Sequence, residues 1–327
     1  MKALVYTGPE ELEFRDFADP KPASGEALIS VEAVGICGSD MHAFLGHDSR
    51  RPAPLILGHE AAGTVVDGPA DWIGKRVTIN PLVTCGVCQV CLSGRENLCA
   101  ERQIISMPPR EGAFAQQVSI PTENLVEVPD HVTCVQASLV EPIACGWHAL
   151  RLAALLLGRL ADTNVLVIGG GAIGMGAALS ARAQGYGDVT IVETNTLRHD
   201  ALLAQGFKVV SQVPDGETYA CIVDAVGYEA TRSIASAVAK PGGVITHIGL
   251  GGGAAGLDTR RMTLQEVSFI GTYTYTKRDF RETANALFDG SLGDLTWIEE
   301  RSLEEGPKAF SDIRSNQVGV PKIVLLP

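Results

Sequence analysis

No stretch of this chain approaches the ~20 apolar residues of a bilayer-spanning helix; its longest, such as Leu152–Leu157, stop far short. The opening residues Met1-Lys2-Ala3-Leu4-Val5-Tyr6 carry no long apolar segment of the signal-peptide kind. The expected location is therefore the cytoplasm. Positive charge is also scarce: 26 Lys and Arg face 38 Asp and Glu, a net charge of −12. Phosphate backbones and anionic lipid surfaces need clustered cations, so neither nucleic acid nor membrane is an expected partner. Internal repeats and low-complexity tracts are lacking too, which excludes a solenoid. What remains is an ordinary globular composition, 46% hydrophobic and 20% charged over 327 residues. That length allows about two domains, each with its own core.

Two textures divide the chain. Up to residue 145 it reads as short strands punctuated by turns, with Lys2–Tyr6, Leu12–Phe17, Glu26–Gly35, Glu60–Asp67, Arg76–Asn80 and Phe114–Ile120 as strand candidates. Thereafter strands alternate with helical segments: Val165–Ile168, Val189–Glu193, Lys208–Val210, Cys221–Ala225, Val244–Ile248 and Val267–Thr272, with a helix over Ala172–Gln184. Such alternation implies a doubly wound parallel sheet. Beyond 275 the character is mixed again and ends in a closing strand, Lys322–Leu326. The expected division is 1–145 with 276–327 as one domain and 146–275 as the other.

Gly169-Gly170-Gly171-Ala172-Ile173-Gly174 fits Gly-x-Gly-x-x-Gly between a strand and a helix, the context that gives this pattern meaning. Gly169 permits the tight turn, Gly171 lets the backbone approach a pyrophosphate, and Gly174 lets helix and strand pack closely. Glu193 ends the next strand, 19 residues past Gly174. A carboxylate there accepts hydrogen bonds from ribose hydroxyls and repels a 2′-phosphate, which favours NAD over NADP; Arg198 nearby is a further cofactor candidate. Val226, Ile248 and Gly249 follow strands of the same sheet, where ligands of open α/β sheets bind.

Eight cysteines are present, and Cys85, Cys88, Cys91 and Cys99 form a Cys-x-x-Cys-x-x-Cys run with a fourth close behind. Four thiolates at this spacing can wrap a tetrahedral ion, and a closed Cys₄ site is structural. A second constellation is dispersed over Cys37, His59-Glu60 and Glu141. Thiolate, imidazole and carboxylate make a catalytic-type zinc shell with a position left open.

Cys-Gly-Ser-Asp-x-His (37–42), Gly-His-Glu-x-x-Gly (58–63), Gly-Lys-Arg-Val (74–77), the Cys₄ lobe and the glycine motif occur in one order. Together they resemble the zinc-containing medium-chain dehydrogenase/reductase family over essentially the whole chain. The resemblance implies a GroES-like β-rich catalytic domain interrupted by a Rossmann domain. It also implies two zinc ions per chain, NAD as cofactor, and a homodimer or homotetramer. It makes Cys37 and His59 ligands of the catalytic zinc, with Glu60 or Glu141 as the third, Ser39 and His42 a proton relay, and Asp40 the carboxylate that orients His59. Glu141-Pro142 resembles the sorbitol, galactitol-phosphate and threonine dehydrogenase branch. Where the sorbitol branch has Arg-Tyr, this chain has Thr274-Tyr275.

The expected activity is hydride transfer from a secondary alcohol or polyol to NAD. Alternatives are a phosphorylated sugar alcohol, which Arg50 and Arg51 would meet, or threonine. An inactive dinucleotide-binding protein is the non-enzymatic alternative. Phe44, Phe114 and Tyr275 are candidates for the pocket wall, Arg50 and Arg51 are expected in a solvated loop, and Cys145 is expected to serve packing alone.

Overall fold

Alternation along Glu26–Ala33 puts Ala27, Ile29, Val31 and Ala33 in a core while Glu32 faces water, and the strand then stays buried through Val34 and Gly35. This strand is the axis of the first half of the protein. In the computed structural model, which describes all 327 residues, it pairs antiparallel with Glu60–Asp67 and, near its start, with Gln117–Pro121. The seven-stranded sheet runs Leu125–Glu127, Arg76–Ile79, Glu60–Asp67, Glu26–Gly35, Lys322–Leu326 and Ile298–Ser302, with Gln117–Pro121 off that path. The chain therefore leaves this sheet, builds a second one, and returns to insert its closing strand beside Glu26–Gly35. Phe114 is not in a strand, contrary to expectation. Its ring packs under Gly58, where an added Cβ would lie 2.6 Å from the ring, and the ladder starts only at Gln117.

The second sheet has six parallel strands: Lys208–Val210, Val189–Val192, Val165–Ile168, Tyr219–Asp224, Ala239–His247 and Ser268–Gly271. Val165–Ile168 is buried throughout, as a strand covered on both faces must be. Helix Val140–Ala154 joins the two halves and packs on helix Ala172–Ala183. Small residues allow this close approach: a Cβ on Gly146 would lie 2.5 Å from the Ala177 Cα, and one on Gly176 would lie 2.9 Å from the Ile143 Cα. The N-terminal turn of the joining helix, with Glu141, is thereby fixed against the glycine motif's helix.

The same joining helix is tied to helix Lys277–Phe288 by a buried ion cluster. Asp279 is fully buried. It accepts from His148 Nδ1 at 2.7 Å, from Arg151 Nη2 at 3.0 Å and from Thr276 Oγ1 at 2.6 Å. Burial alone would raise its carboxyl, but these donors outweigh burial and hold it below the usual carboxylate range. A carboxylate depressed in the folded state contributes stability above its unfolded pKa of ~4 and loses it as pH falls toward the folded value. Asp279→Asn leaves Arg151 and His148 without their counter-charge. It is expected to lower unfolding stability by about 3–5 kcal/mol at neutral pH, read from the denaturant midpoint. The difference from wild type should shrink below pH ~4; a variant equally stable at pH 7 would show that the cluster contributes nothing net.

Candidate active site

Cys37 caps the short helix Gly38–Phe44, so its Sγ lies at the carboxyl end of strand Glu26–Gly35. His59 and Glu60 enter from the start of the neighbouring strand, after a turn at Gly58 with φ +87°. Ligand atoms of Cys37, His59 and Glu60 fall within 4.8 Å of one another. Asp40 is fully buried beneath them. It accepts from the Cys37 N–H at 3.0 Å and the Gly58 N–H at 3.2 Å, and its Oδ1 lies 3.5 Å from His59 Nδ1. One carboxylate thus positions both ligand-bearing turns, as second-layer carboxylates of metal sites do. Burial opposes charge on His59, yet Asp40 and Cys37 raise its proton affinity well above the ordinary value.

The two glutamates stand in different company. Glu60 is fully buried and bridges to Lys322 Nζ through both oxygens, at 2.7 and 2.6 Å. Lys322 also donates to the Ile36 carbonyl at 2.8 Å. Glu141 is not among the side chains within that 4.8 Å group; its Oε1 accepts from the Tyr275 hydroxyl at 2.7 Å. Burial pushes Glu141 up to about 7, with nearby Glu60 adding to the rise against the pull of His59 and Tyr275. Lys322 and the Tyr275–Glu141 contact escape sequence reasoning. The one available signal is a lysine opening the otherwise apolar run Lys322–Leu326.

Ser39 and His42 lie three residues apart on helix Gly38–Phe44 and so share a face. Arg51 overturns its expectation. It is buried, not solvated, and its guanidinium reaches Ser39 and Ser106. Arg50 does stay exposed, holding Asp48 with Nε at 2.8 Å and Nη2 at 2.9 Å. Of the aromatic candidates, Phe44 and Phe114 both pack on Phe310 inside the first core, with centroids 5.2 and 5.9 Å away. They are core residues because the strands around Gly58 need that volume filled. Tyr275 reaches the site. Beside it Thr274 stands at φ +47° with a buried Oγ1 that finds no partner, an uncommon backbone state for a β-branched residue.

The Cys₄ residues converge as well. Four of their Sγ···Sγ distances run 3.4, 3.5, 3.8 and 3.9 Å. A tetrahedron with zinc–sulfur bonds of ~2.3 Å has edges of about 3.8 Å, so these thiols fit one zinc ion. The N–H groups of Val87 and Cys88 bring the Cys85 thiol down to about 6, while desolvation and neighbouring thiols push Cys91 up to about 12. Crowded thiols cannot all ionise alone; a divalent cation relieves that.

The glycine motif forms a cradle at the ends of the parallel strands. A Cβ on Gly174 would lie 1.7 Å from the Gly169 carbonyl oxygen, and one on Gly169, at φ +97°, would lie 2.4 Å from Val226. These two glycines serve packing. Gly171, at the N-cap of helix Ala172–Ala183, faces open space; this is where a backbone can approach a pyrophosphate. Ile173 lies in the first turn of that helix. Glu193 Oε2 accepts from the Gly170 N–H at 2.9 Å and lies 3.5 Å from Arg198, whose Nε is buried and unpaired. The Ile248 and Gly249 N–H groups both bond the Asp224 carbonyl, at 3.0 and 3.1 Å, closing the strand ends around Val226. The donor set suits a dinucleotide.

Comparison with known proteins agrees with this geometry. Residues 23–130 match the alcohol dehydrogenase GroES-like domain, and residues 172–289 match the zinc-binding dehydrogenase domain. The chain is 30% identical over 308 residues to the L-galactonate-5-dehydrogenase of Escherichia coli K12, covering 89% of this chain and 88% of that protein. It is 35% identical over 213 residues to a sorbitol dehydrogenase of Bacillus subtilis, covering 63% of this chain and 59% of that one. Acetophenone reductase from Geotrichum candidum, solved in complex with NAD, superposes with a TM-score of 0.87 at 27% identity, covering 100% of this chain and 96% of that one. The chain belongs to the zinc-containing medium-chain dehydrogenase/reductase family and is a zinc- and NAD-dependent dehydrogenase of alcohols or polyols.

Proposed function

We propose that this protein oxidises a secondary hydroxyl of a polyol or sugar alcohol with NAD⁺, giving a ketone or ketose. The observation that carries the reading is the meeting of Cys37, His59 and Glu60 within 4.8 Å, on strands whose partner domain holds the dinucleotide cradle. A zinc ion bound there supplies Lewis acidity, which makes an alcohol hydroxyl easier to deprotonate. Ser39 would relay that proton, taking it at its Oγ while releasing its own hydroxyl proton, and His42 would hand a proton on to solvent. Gly171 with Glu193 and Arg198 would hold the cofactor, in a cradle that the packing of Gly169 and Gly174 keeps in shape, and bound there it would supply the hydride acceptor. Glu60, rather than Glu141, is the third ligand in this reading. Glu141 and the Tyr275 hydroxyl instead offer hydrogen-bonding groups to a polyhydroxylated substrate.

The phosphorylated alternative loses its cations: Arg50 is engaged by Asp48, and Arg51 is buried. We take 1–145 with 276–327 as the catalytic domain and 146–275 as the cofactor domain, in a cytoplasmic homodimer or homotetramer.

The test is NAD reduction across a panel of polyols, sugar acids, phosphorylated polyols, simple secondary alcohols and threonine, with NADP in parallel. Chelator-sensitive turnover of polyols or sugar acids with NAD is expected. Turnover confined to phosphorylated polyols or threonine would replace the reading. No turnover at all, with NADH and two zinc ions bound, would leave a binding protein.

A further inference from the structure

Arg51 is a charged side chain only 2% exposed, buried where a solvated loop is expected. Its N–H donors fan out over three segments, at Ser39, Asp48 and Ser106. Nε donates to the Ser106 carbonyl at 2.9 Å. Nη1 donates to the Ser39 carbonyl at 3.1 Å and to Asp48 Oδ2 at 2.9 Å. Nη2 faces two hydroxyls, Ser39 Oγ at 3.4 Å and Ser106 Oγ at 3.5 Å. Ser106 is fully buried and stands at φ +73°, a backbone state that costs a non-glycine residue on the order of 1–3 kcal/mol unless its surroundings hold it. Its Oγ lies 3.4 Å from His59 Nδ1. The guanidinium thus holds the strained residue that touches His59 on one side and the hydroxyl-bearing Ser39 on the other. A lysine ammonium carries its donors on one nitrogen, so it cannot place them at the separate Nε, Nη1 and Nη2 positions that meet Ser106 and Ser39 together.

We propose that Arg51 is a positioning residue of the catalytic metal group: acting through Ser106 it fixes the ring of His59, and through its bonds to Ser39 it fixes the hydroxyl two residues beyond Cys37. Asp48 balances its charge, and Asp48 keeps Arg50 as a second partner when Arg51 is removed. The proposal rests on Cys37 and His59 being ligands of the catalytic zinc. It adds Arg51 and Ser106 as the supports of those ligands.

Outer partners of metal-bound histidines contribute about 10–100-fold to metal affinity or activity. Zinc affinity is measured by competition with a chromophoric chelator on the full chain, for wild type, Arg51→Met, Arg51→Lys and His59→Ala. The second zinc, on the Cys₄ lobe, is an internal control. In Arg51→Met one zinc per chain should weaken about 10–100-fold while the other keeps wild-type affinity; general destabilisation would weaken both. Arg51→Lys should not restore the loss, since it keeps the charge without the fork. Should Arg51→Met not fold, Asp48→Asn/Arg51→Met, which removes both charges together, takes its place.

Wild-type affinity at both sites in Arg51→Met overturns the proposal, as does parallel weakening of both sites, or full recovery in Arg51→Lys. His59→Ala separates this failure from that of the underlying reading. If His59→Ala still binds two zinc ions as wild type does, the ligand assignment itself is wrong. If His59→Ala loses one and Arg51→Met loses none, only the role of Arg51 falls.

Discussion

Replacing Cys37 by alanine should lower turnover by about 1,000-fold or more and leave one zinc ion per chain. Lewis-acid assistance is worth several kcal/mol, and each ~1.4 kcal/mol is a factor of ten in rate. Cys37 has no substitute nearby: Ser39 offers a hydroxyl, and Glu60 already counts as a ligand in the proposed set. The dinucleotide cradle lies on the other sheet, so NADH affinity should stay within about twofold of wild type. Metal analysis, NADH fluorescence titration and steady-state kinetics check the three parts. A variant that holds one zinc and still turns over at the wild-type rate would remove Cys37 from the chemistry.

The second large effect is expected at a distance from the reacting atoms. Cys99→Ser breaks the Cys₄ set, and the lobe around it has little apolar core: Val87 and Leu92 are exposed. Structural zinc contributes folding energy outright in such lobes. This lobe also grips the segment that carries Tyr275. Asn97 Nδ2 donates to the Tyr273 carbonyl at 2.8 Å, Glu96 accepts from the Lys277 N–H, and the Arg102 guanidinium stacks 4.8 Å from the Tyr273 ring centroid. Loss of the lobe frees that segment and with it the Tyr275 hydroxyl on Glu141. The expected result is one zinc lost per chain, early protease cleavage within residues 85–102, and a turnover lowered by about tenfold, roughly 1.4 kcal/mol of transition-state stabilisation. Intact turnover after cleavage of the lobe would uncouple it from the active site.

Local features were legible in the sequence and long-range pairings were not. Glu26–Gly35, Glu60–Asp67, Val165–Ile168 and Lys322–Leu326 form strands over the expected residues, because alternation or unbroken β-branched runs decide them locally. The Cys₄ set and the glycine motif are each contiguous, so spacing alone exposes their chemistry. Cys37 and His59 are dispersed: their residue types suggest a zinc shell with Glu60 and Glu141, and the family resemblance is what makes those two the ligands. Lys322 lies 262 residues from Glu60, and Tyr275 lies 134 from Glu141; no local pattern encodes such partners. Arg51 was misread for a related reason. Arginine mostly faces water, and its burial depends on a fork of acceptors drawn from Ser39, Asp48 and Ser106. Phe114 was misplaced because a strand-prone residue was claimed by the volume under Gly58, which outweighs local propensity.

The closing strand has a temporal consequence. Val324 pairs with Gly35 and Leu325 with Val34, so the centre of the first sheet joins chain segments synthesised far apart in time. A ribosome adding ~5–20 residues per second completes the parallel sheet before that partner exists. Until then, one flank of Glu26–Gly35 is an open template of unpaired N–H and C=O groups, and Glu60 awaits its lysine. Contacts of this span also slow folding, because loop closure precedes any gain from the contact. The nascent protein therefore carries its catalytic half unfinished, with an exposed edge that other chains can pair with, and residues 322–326, on emerging, both seal that edge and supply Lys322 to Glu60.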